Sequence, residues 1–185
     1  MSVLDSILEF NENFVEKKDY EQYQTSKFPD KKIVILTCMD TRLLEMLPRA
    51  LNLSNGDAKI IKNAGAMISH PFGSIMRSII VALYELQAEE VAVIGHYGCG
   101  MTGLESKSIL EKAEDRGIDL AKIEAASYAG VDVDKWLHGF DDVEDSVKNS
   151  VDIIRRHPLL PANTPVHGLA ISPDTGKLTV LDKAE

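Results

Sequence analysis

From Lys31 to Cys38 the chain reads Lys-Lys-Ile-Val-Ile-Leu-Thr-Cys, a continuous apolar run rich in β-branched residues. A run without polar alternation predicts a strand buried on both faces. Ala58 to Lys62 predicts a second strand, Glu90 to His96 a third and Val166 to Ser172 a fourth. Between them the spacing of apolar residues changes to the helical period. Leu43 to Leu51 and Gly73 to Leu86 read as helices, the latter with Ile75, Ile79, Ala82, Leu83 and Leu86 on one face. Helical spacing resumes after Gly100 and runs to about Arg116. Gly117 to Phe140 is polar, mixed and undecided. Asp141 to Glu144 resembles a capping box that opens a helix with Val143, Val147, Val151 and Ile154 as its stripe, stopped by Pro158. Asp174-Thr175-Gly176 is a turn into a short strand, Lys177 to Leu181, pairing as a hairpin with the fourth.

Strands that alternate with helices predict an α/β fold. The sheet is mainly parallel, about four strands plus a short antiparallel carboxyl-terminal strand, flanked by helices. No repeat or linker divides the chain, so residues 1–185 are expected to form a single domain. Residues 3–17 stand apart. Leu4, Ile7, Leu8, Phe14 and Val15 mark an amphipathic helix, followed by a polar link and Phe28-Pro29. This makes residues 1–28 an arm, docked on the body or on a partner subunit.

A net charge of -9 argues against nucleic acid or an anionic membrane surface as the main partner. Met1 to Asp5 lacks a basic and apolar leader pattern, and no apolar run approaches spanning length. A cytoplasmic location is the expectation. Two cysteines make no disulfide framework, and in a reducing compartment paired thiols read as metal ligands.

Those cysteines fall in two strings, Cys38-Met39-Asp40-Thr41-Arg42 and His96-Tyr97-Gly98-Cys99-Gly100. Both begin at the carboxyl end of an expected buried strand, where open α/β sheets bind ligands. Two thiolates and an imidazole form a three-ligand zinc set with one position free, a catalytic pattern. Cys38 and Asp40, two apart, project to the same side of an extended strand end. The set requires the first and third strands to lie close together. Each residue taken singly has a plainer reading. A strand-end cysteine can be a small buried hydrophobe, His96 a satisfied polar residue, and Asp40 with Arg42 a local ion pair. A Cys38–Cys99 disulfide would leave His96 unexplained. His157, at a helix end, is read as a cation favoured by the helix dipole, and His167 as packed or bonded to backbone.

The joint pattern, Cys-x-Asp-x-Arg and His-x-x-Cys-Gly with Lys62-Asn63-Ala64-Gly65 between them, resembles the β-class carbonic anhydrases, specifically their short single-domain branch. Val166-His167-Gly168-Leu169 and Thr175-Gly176-Lys177-Leu178 extend the resemblance, which runs from about Lys31 to the end. It implies that Cys38, His96 and Cys99 ligate Zn2+ and that Asp40 and Arg42 form the catalytic dyad. Asp40 is then the fourth ligand in a closed state, or is held off by Arg42 in an open one. It implies reversible hydration of carbon dioxide to bicarbonate and a proton by attack of zinc-bound hydroxide. It also implies a homodimer or multiple of dimers, with the amino-terminal helix packed on the neighbouring subunit.

Three positions depart from the family pattern. Ala66 stands where relatives often have Asn, Lys62 where longer relatives have Arg, and no Gln precedes the first core strand. Gly65 and Gly100 are candidate substrate-binding positions, against the plainer reading of turn glycines. Tyr97 and His70 are candidates for proton export by their nearness to the motifs. Two other functions fit the same residues: hydrolysis of carbonyl sulfide or carbon disulfide, and a zinc-binding interaction protein without turnover.

Overall fold

The computed structural model describes residues 2–184; Met1 and Glu185 lie outside the described residues. Its strands are β1 (Ile33–Cys38), β2 (Ala58–Asn63), β3 (Glu90–His96), β4 (Val166–Ile171) and β5 (Leu178–Asp182). They form one sheet in the order β2-β1-β3-β4-β5. The first four are parallel and β5 is antiparallel to β4, as the sequence pattern predicts. β1 and β3 are neighbours, with Thr37 opposite Ile94. Every residue of β1 after Ile33 is buried, which is why the run tolerates no polar alternation. Its one hydroxyl, on Thr37, is satisfied by donating to the Ile94 carbonyl at 2.9 Å.

The chain leaves β1 for β2 on one side and returns past β1 to β3 on the other. The order therefore reverses between β1 and β3. Their carboxyl ends flank the crevice where such sheets bind ligands.

Helices α1 (Val3–Glu16), α2 (Leu43–Ala50), α3 (Ser74–Tyr84), α4 (Ser106–Glu114), α5 (Ala121–Tyr128), α6 (Val133–Leu137) and α7 (Val143–Arg155) complete the described elements. On one sheet face, α3 and α7 bury Met76, Ile79, Val147, Val151 and Ile154 against Val34, Leu36, Val91 and Val93. On the other, α2 sets Leu43 and Leu47 against Ile35, Ile94 and Ile171. Both leucines are fully buried, which contributes roughly 1.5–3 kcal/mol each. Away from α2 this face opens into an apolar groove of about 450 Å³ lined by Ile33, Ile35, Ala92, Leu169 and Val180.

Three local expectations shift. The cap of α7 is Asp142, not Asp141; its carboxylate accepts from the Glu144 and Asp145 N–H groups at 2.8 and 3.1 Å. The Glu144 side chain does not close a box, because it accepts from the Tyr97 hydroxyl at 2.9 Å instead. The helix expected after Gly100 begins only at Ser106 and ends at Glu114, since residues 101–104 bond to Gly139 and Phe140. The undecided stretch 117–140 holds α5 and α6.

The stripe of α7 is as expected and sits very near β3. A Cβ at Gly95 would lie 2.7 Å from a Val147 methyl and 2.8 Å from a Val143 methyl. Only glycine permits this approach, and the next residue is His96. Helix α1 is capped by Ser2 and Asp5 acting reciprocally, yet none of its residues is buried.

Candidate metal centre

Cys38 ends β1, His96 ends β3, and Cys99 follows after a tight turn. Parallel pairing of β1 and β3 brings all three together, buried, with their ligand atoms within 4.8 Å of one another. The sulfurs are 3.8 Å apart. Two sulfurs on a tetrahedral zinc, each at about 2.3 Å, would also stand about 3.8 Å apart. A disulfide needs about 2.05 Å, and both cysteines are free.

His96 adds a second sign of fit. Its Nδ1 lies 3.0 Å from the Tyr97 carbonyl, which can only accept, so Nδ1 carries the proton. That leaves Nε2 bare, buried and without a hydrogen-bond partner. A buried nitrogen in that state is costly unless an electron-pair acceptor occupies the position it faces. The donor set and its orientation fit zinc.

Asp40 and Arg42 sit at the rim of this cluster. Arg42 Nε donates to Asp40 Oδ1 at 3.0 Å and Nη2 to Oδ2 at 2.8 Å, a bidentate pair. The Arg42 N–H also donates to Oδ1, at 2.9 Å. Nη2 is fixed further by the Gly98 carbonyl at 3.0 Å, so the guanidinium is braced from the turn that precedes Cys99. Asp40 Oδ2 still lies only 3.7 Å from His96 Nε2. Cys38, Asp40, Gly65, Cys99, Gly100 and Met101 are among the residues lining a cavity of about 400 Å³.

The charges follow from these contacts. Arg42 hydrogen bonds, first from its side chain and then from its N–H, hold the Asp40 carboxyl well below the usual carboxylate range. Asp40 is therefore ionised and can only accept hydrogen bonds. Burial pushes the Cys38 thiol up, but His96 and the Gly65 and Asp40 N–H groups outweigh it and bring it to about 7. Cys99 goes the other way: burial and the nearby Cys38 charge raise it to about 11, against the opposing Met101 N–H. The metal-free site thus accepts one thiolate readily and resists the second. A divalent cation would remove that resistance and release the protons.

The remaining candidates separate. Gly65, at φ +80° in the 3-10 turn Ala64–Ala66, and Gly100 both line the cavity. Tyr97 is bonded to Glu144, and His70 accepts from the Phe72 N–H on the surface; neither lines the cavity. His157 is buried just past the end of α7. Its Nδ1 accepts from the Leu159 N–H and its ring lies 4.9 Å from that of Phe72. His167 accepts from the Ala184 N–H, the backbone bond expected of it. Ala66 is buried at φ +54°, a conformation in which asparagine is at ease and alanine is not. Sequence reading missed the Gly98 and Tyr97 carbonyls, because backbone acceptors carry no residue signature. It missed Glu144 because its spacing spelled a cap.

A family model described as carbonic anhydrase matches residues 33–178. The crystal structure of β-carbonic anhydrase isoform I from Trichomonas vaginalis superposes with a TM-score of 0.91 at 38% identity, covering 100% of both chains. The chain belongs to the β-carbonic anhydrase family. Within that family, the Bacillus subtilis protein YtiB, provisionally named a carbonic anhydrase, is 64% identical over 181 residues, 98% of this chain and 97% of that one. Carbon disulfide hydrolase of Acidithiobacillus thiooxidans is 28% identical over 156 residues, covering 80% of this chain and 76% of that one.

Proposed function

We propose that the protein catalyses the reversible hydration of carbon dioxide to bicarbonate and a proton, with Cys38, His96 and Cys99 holding zinc. The observation that carries this reading is the Asp40–Arg42 pair beside three convergent metal-binding atoms, one of them a bare imidazole nitrogen. A bound zinc ion supplies the Lewis acidity that makes a water nucleophilic near neutral pH. Asp40, ionised and acceptor-only, takes a hydrogen bond from the reacting water and turns its lone pair toward the cavity. Arg42 holds the carboxylate in that role. A freed Asp40 side chain could swing toward His96 Nε2 and take the fourth position itself. Gly65 and Gly100 leave the cavity wall without side chains, which suits the close approach of a small linear substrate.

The active form is a homodimer or a multiple of dimers, in the cytoplasm. Val3, Leu4, Ile7, Leu8 and Phe10 on α1 are all more than half exposed, a stripe too apolar to remain in water. The same helix carries Asp5, Glu9, Glu12 and Glu16, while Lys31 and Lys183 flank the open sheet groove. A second copy of the chain supplies the complementary surface to each.

Stopped-flow carbon dioxide hydration on zinc-quantified protein, from about pH 6.5 to about pH 9, tests the reading. Activity rising with pH at one zinc per chain is expected. Fully zinc-loaded protein that is inert toward carbon dioxide but hydrolyses carbon disulfide would replace it with the chemistry named for the Acidithiobacillus relative.

A further inference from the structure

Gly139 and Phe140 belong to no motif and lie 40 residues beyond the Cys99 turn in sequence. In space they are strapped to it. The Phe140 N–H donates to the Met101 carbonyl at 3.1 Å, and the Gly103 N–H returns to the Phe140 carbonyl at 2.8 Å. The Gly139 N–H donates to the Leu104 carbonyl at 2.8 Å. Thr102 and Phe140 thereby form a short parallel bridge, isolated from the main sheet. The turn is tied at its other end too, where the Thr102 N–H donates to the Cys99 carbonyl at 3.1 Å.

The fit allows no side chain at position 139. A Cβ there would meet the Met101 carbonyl oxygen at 1.9 Å and its carbon at 3.0 Å, both backbone atoms that cannot rotate away. The Phe140 ring then faces the cavity wall from behind. A Cβ on Gly65 would lie 2.9 Å from Phe140 Cε1 and 3.1 Å from Met101 Cγ. Gly65 and Met101 both line the candidate cavity, while Phe140 packs against the hydrophobic clusters on both sides of the sheet. Among the described residues, the other backbone hydrogen bonds of 99–104 are the turn bonds from the Thr102 and Leu104 N–H groups to the Cys99 and Met101 carbonyls.

We propose that Gly139-Phe140 is a positioning element for Cys99. Its backbone fastens the Cys99–Leu104 turn, and the Phe140 ring backs the wall formed by Gly65 and Met101. The proposal rests on the reading that Cys38, His96 and Cys99 hold zinc. It makes Gly139 a requirement of site geometry, remote in sequence from every ligand. Partners outside the ligand set typically change metal affinity by about 10- to 100-fold when removed.

The test uses Gly139→Ala and Phe140→Leu in the full chain. Zinc transfer to a chromogenic chelator is timed on the zinc-loaded protein, and the visible spectrum of cobalt-substituted protein is recorded beside it. Gly139→Ala must lift the strap from Met101. It is expected to release zinc about tenfold faster or more, and to shift the cobalt–thiolate and ligand-field bands, while far-UV circular dichroism keeps its folded shape. Phe140→Leu keeps the backbone bonds and removes the ring, and should shift the same bands with about threefold faster release, below the range for outright partner loss. A general loss of stability would lower Tm without altering the spectrum of the folded protein. Unchanged bands and release within twofold of wild type in Gly139→Ala would overturn the proposal. Should that variant fail to fold, Phe140→Leu decides on the same two readouts. Wild-type protein that binds cobalt without a thiolate band would instead overturn the metal assignment, a distinguishable failure.

Discussion

The carboxyl end of the sheet and the amino-terminal arm treat their side chains in opposite ways. Around Cys38 and Cys99, most polar groups are answered within the chain: Asp40 by Arg42, Arg42 by Gly98, His96 Nδ1 by Tyr97 and Thr37 by Ile94. Among the described residues, two buried side-chain atoms have no hydrogen-bond partner, Asn63 Oδ1 and His96 Nε2, and the latter lies with the two sulfurs. On α1 the amino-terminal cap closes reciprocally between Ser2 and Asp5, while Leu4, Ile7 and Leu8 stay more than half exposed. One region presents convergent donor atoms and the other an exposed apolar stripe. The three convergent donor atoms all come from this chain, whereas the apolar stripe of α1 stays exposed on it.

The sharpest break of that contrast is Cys38→Ala. Zinc per chain should fall to near zero and activity with it, since His96, Cys99 and a carboxylate already held by Arg42 cannot replace the three-donor set. Metal analysis after gel filtration measures this, and retained stoichiometric zinc would remove Cys38 from the site. Next in size is the arm. Changing Ile7 and Leu8 together to Asp removes two apolar contacts worth roughly 1.5–3 kcal/mol each, so self-association should weaken by at least about 100-fold. Sedimentation velocity across a dilution series reads the shift. An unchanged assembly would mean that the stripe is not the contact.

Arg42→Ala probes the ordered end more gently. It frees Asp40 while leaving all three metal-binding residues, so turnover should drop about 10- to 100-fold with zinc retained. Full activity in a zinc-replete variant would deny Arg42 its holding role.

The smallest effect is expected where Arg155 joins α7 to β4 and β5. Its Nη1 and Nη2 donate to Asp182 at 2.8 and 2.7 Å, and Nη2 also donates to the Val166 carbonyl. Arg155 holds the Asp182 carboxyl below its ordinary value. A carboxyl depressed in the folded state stabilises above the unfolded pKa near 4, and that contribution fades as pH falls through the lower folded value. Asp182→Asn should therefore cost about 1 kcal/mol near pH 7, after allowance for the pair's partial exposure. It should cost progressively less below about pH 4. Urea melts of both proteins at the two pH values compare them, and a pH-independent difference would assign the loss to packing rather than charge.

Much of the fold was legible because it is written in local periodicity. The unbroken apolar runs of β1 and β3, the α7 stripe and the closing hairpin all appear in the structure where their patterns predict. The convergence of Cys38, His96 and Cys99 was legible for a related reason: each sits at or just past a strand end, and parallel strands align their ends. The misreadings share one cause, which is competition from residues distant in sequence. Asp141 to Glu144 spells a box, but Tyr97 claims the Glu144 carboxylate. Residues 101–105 have helical spacing, but Gly139 and Phe140 claim their backbone groups. His157 reads as a helix-end residue where a cation suits the dipole, but its ring packs against Phe72 in the interior.

The sequence by itself determined the strand–helix alternation, the chemical types in the cluster and the family resemblance. Covalent order, side-chain period and residue chemistry are properties a linear string contains. Tertiary structure alone decided that the reversal of strand order falls between β1 and β3, which sets the two sulfurs 3.8 Å apart. It alone decided that Arg42 grips Asp40 with the help of the Gly98 carbonyl, and that a glycine 40 residues past Cys99 lies against Met101. The Gly98 and Met101 carbonyls are backbone groups of a kind every residue possesses, so it is the packing of the whole sheet that selects which of them Arg42 and Gly139 meet.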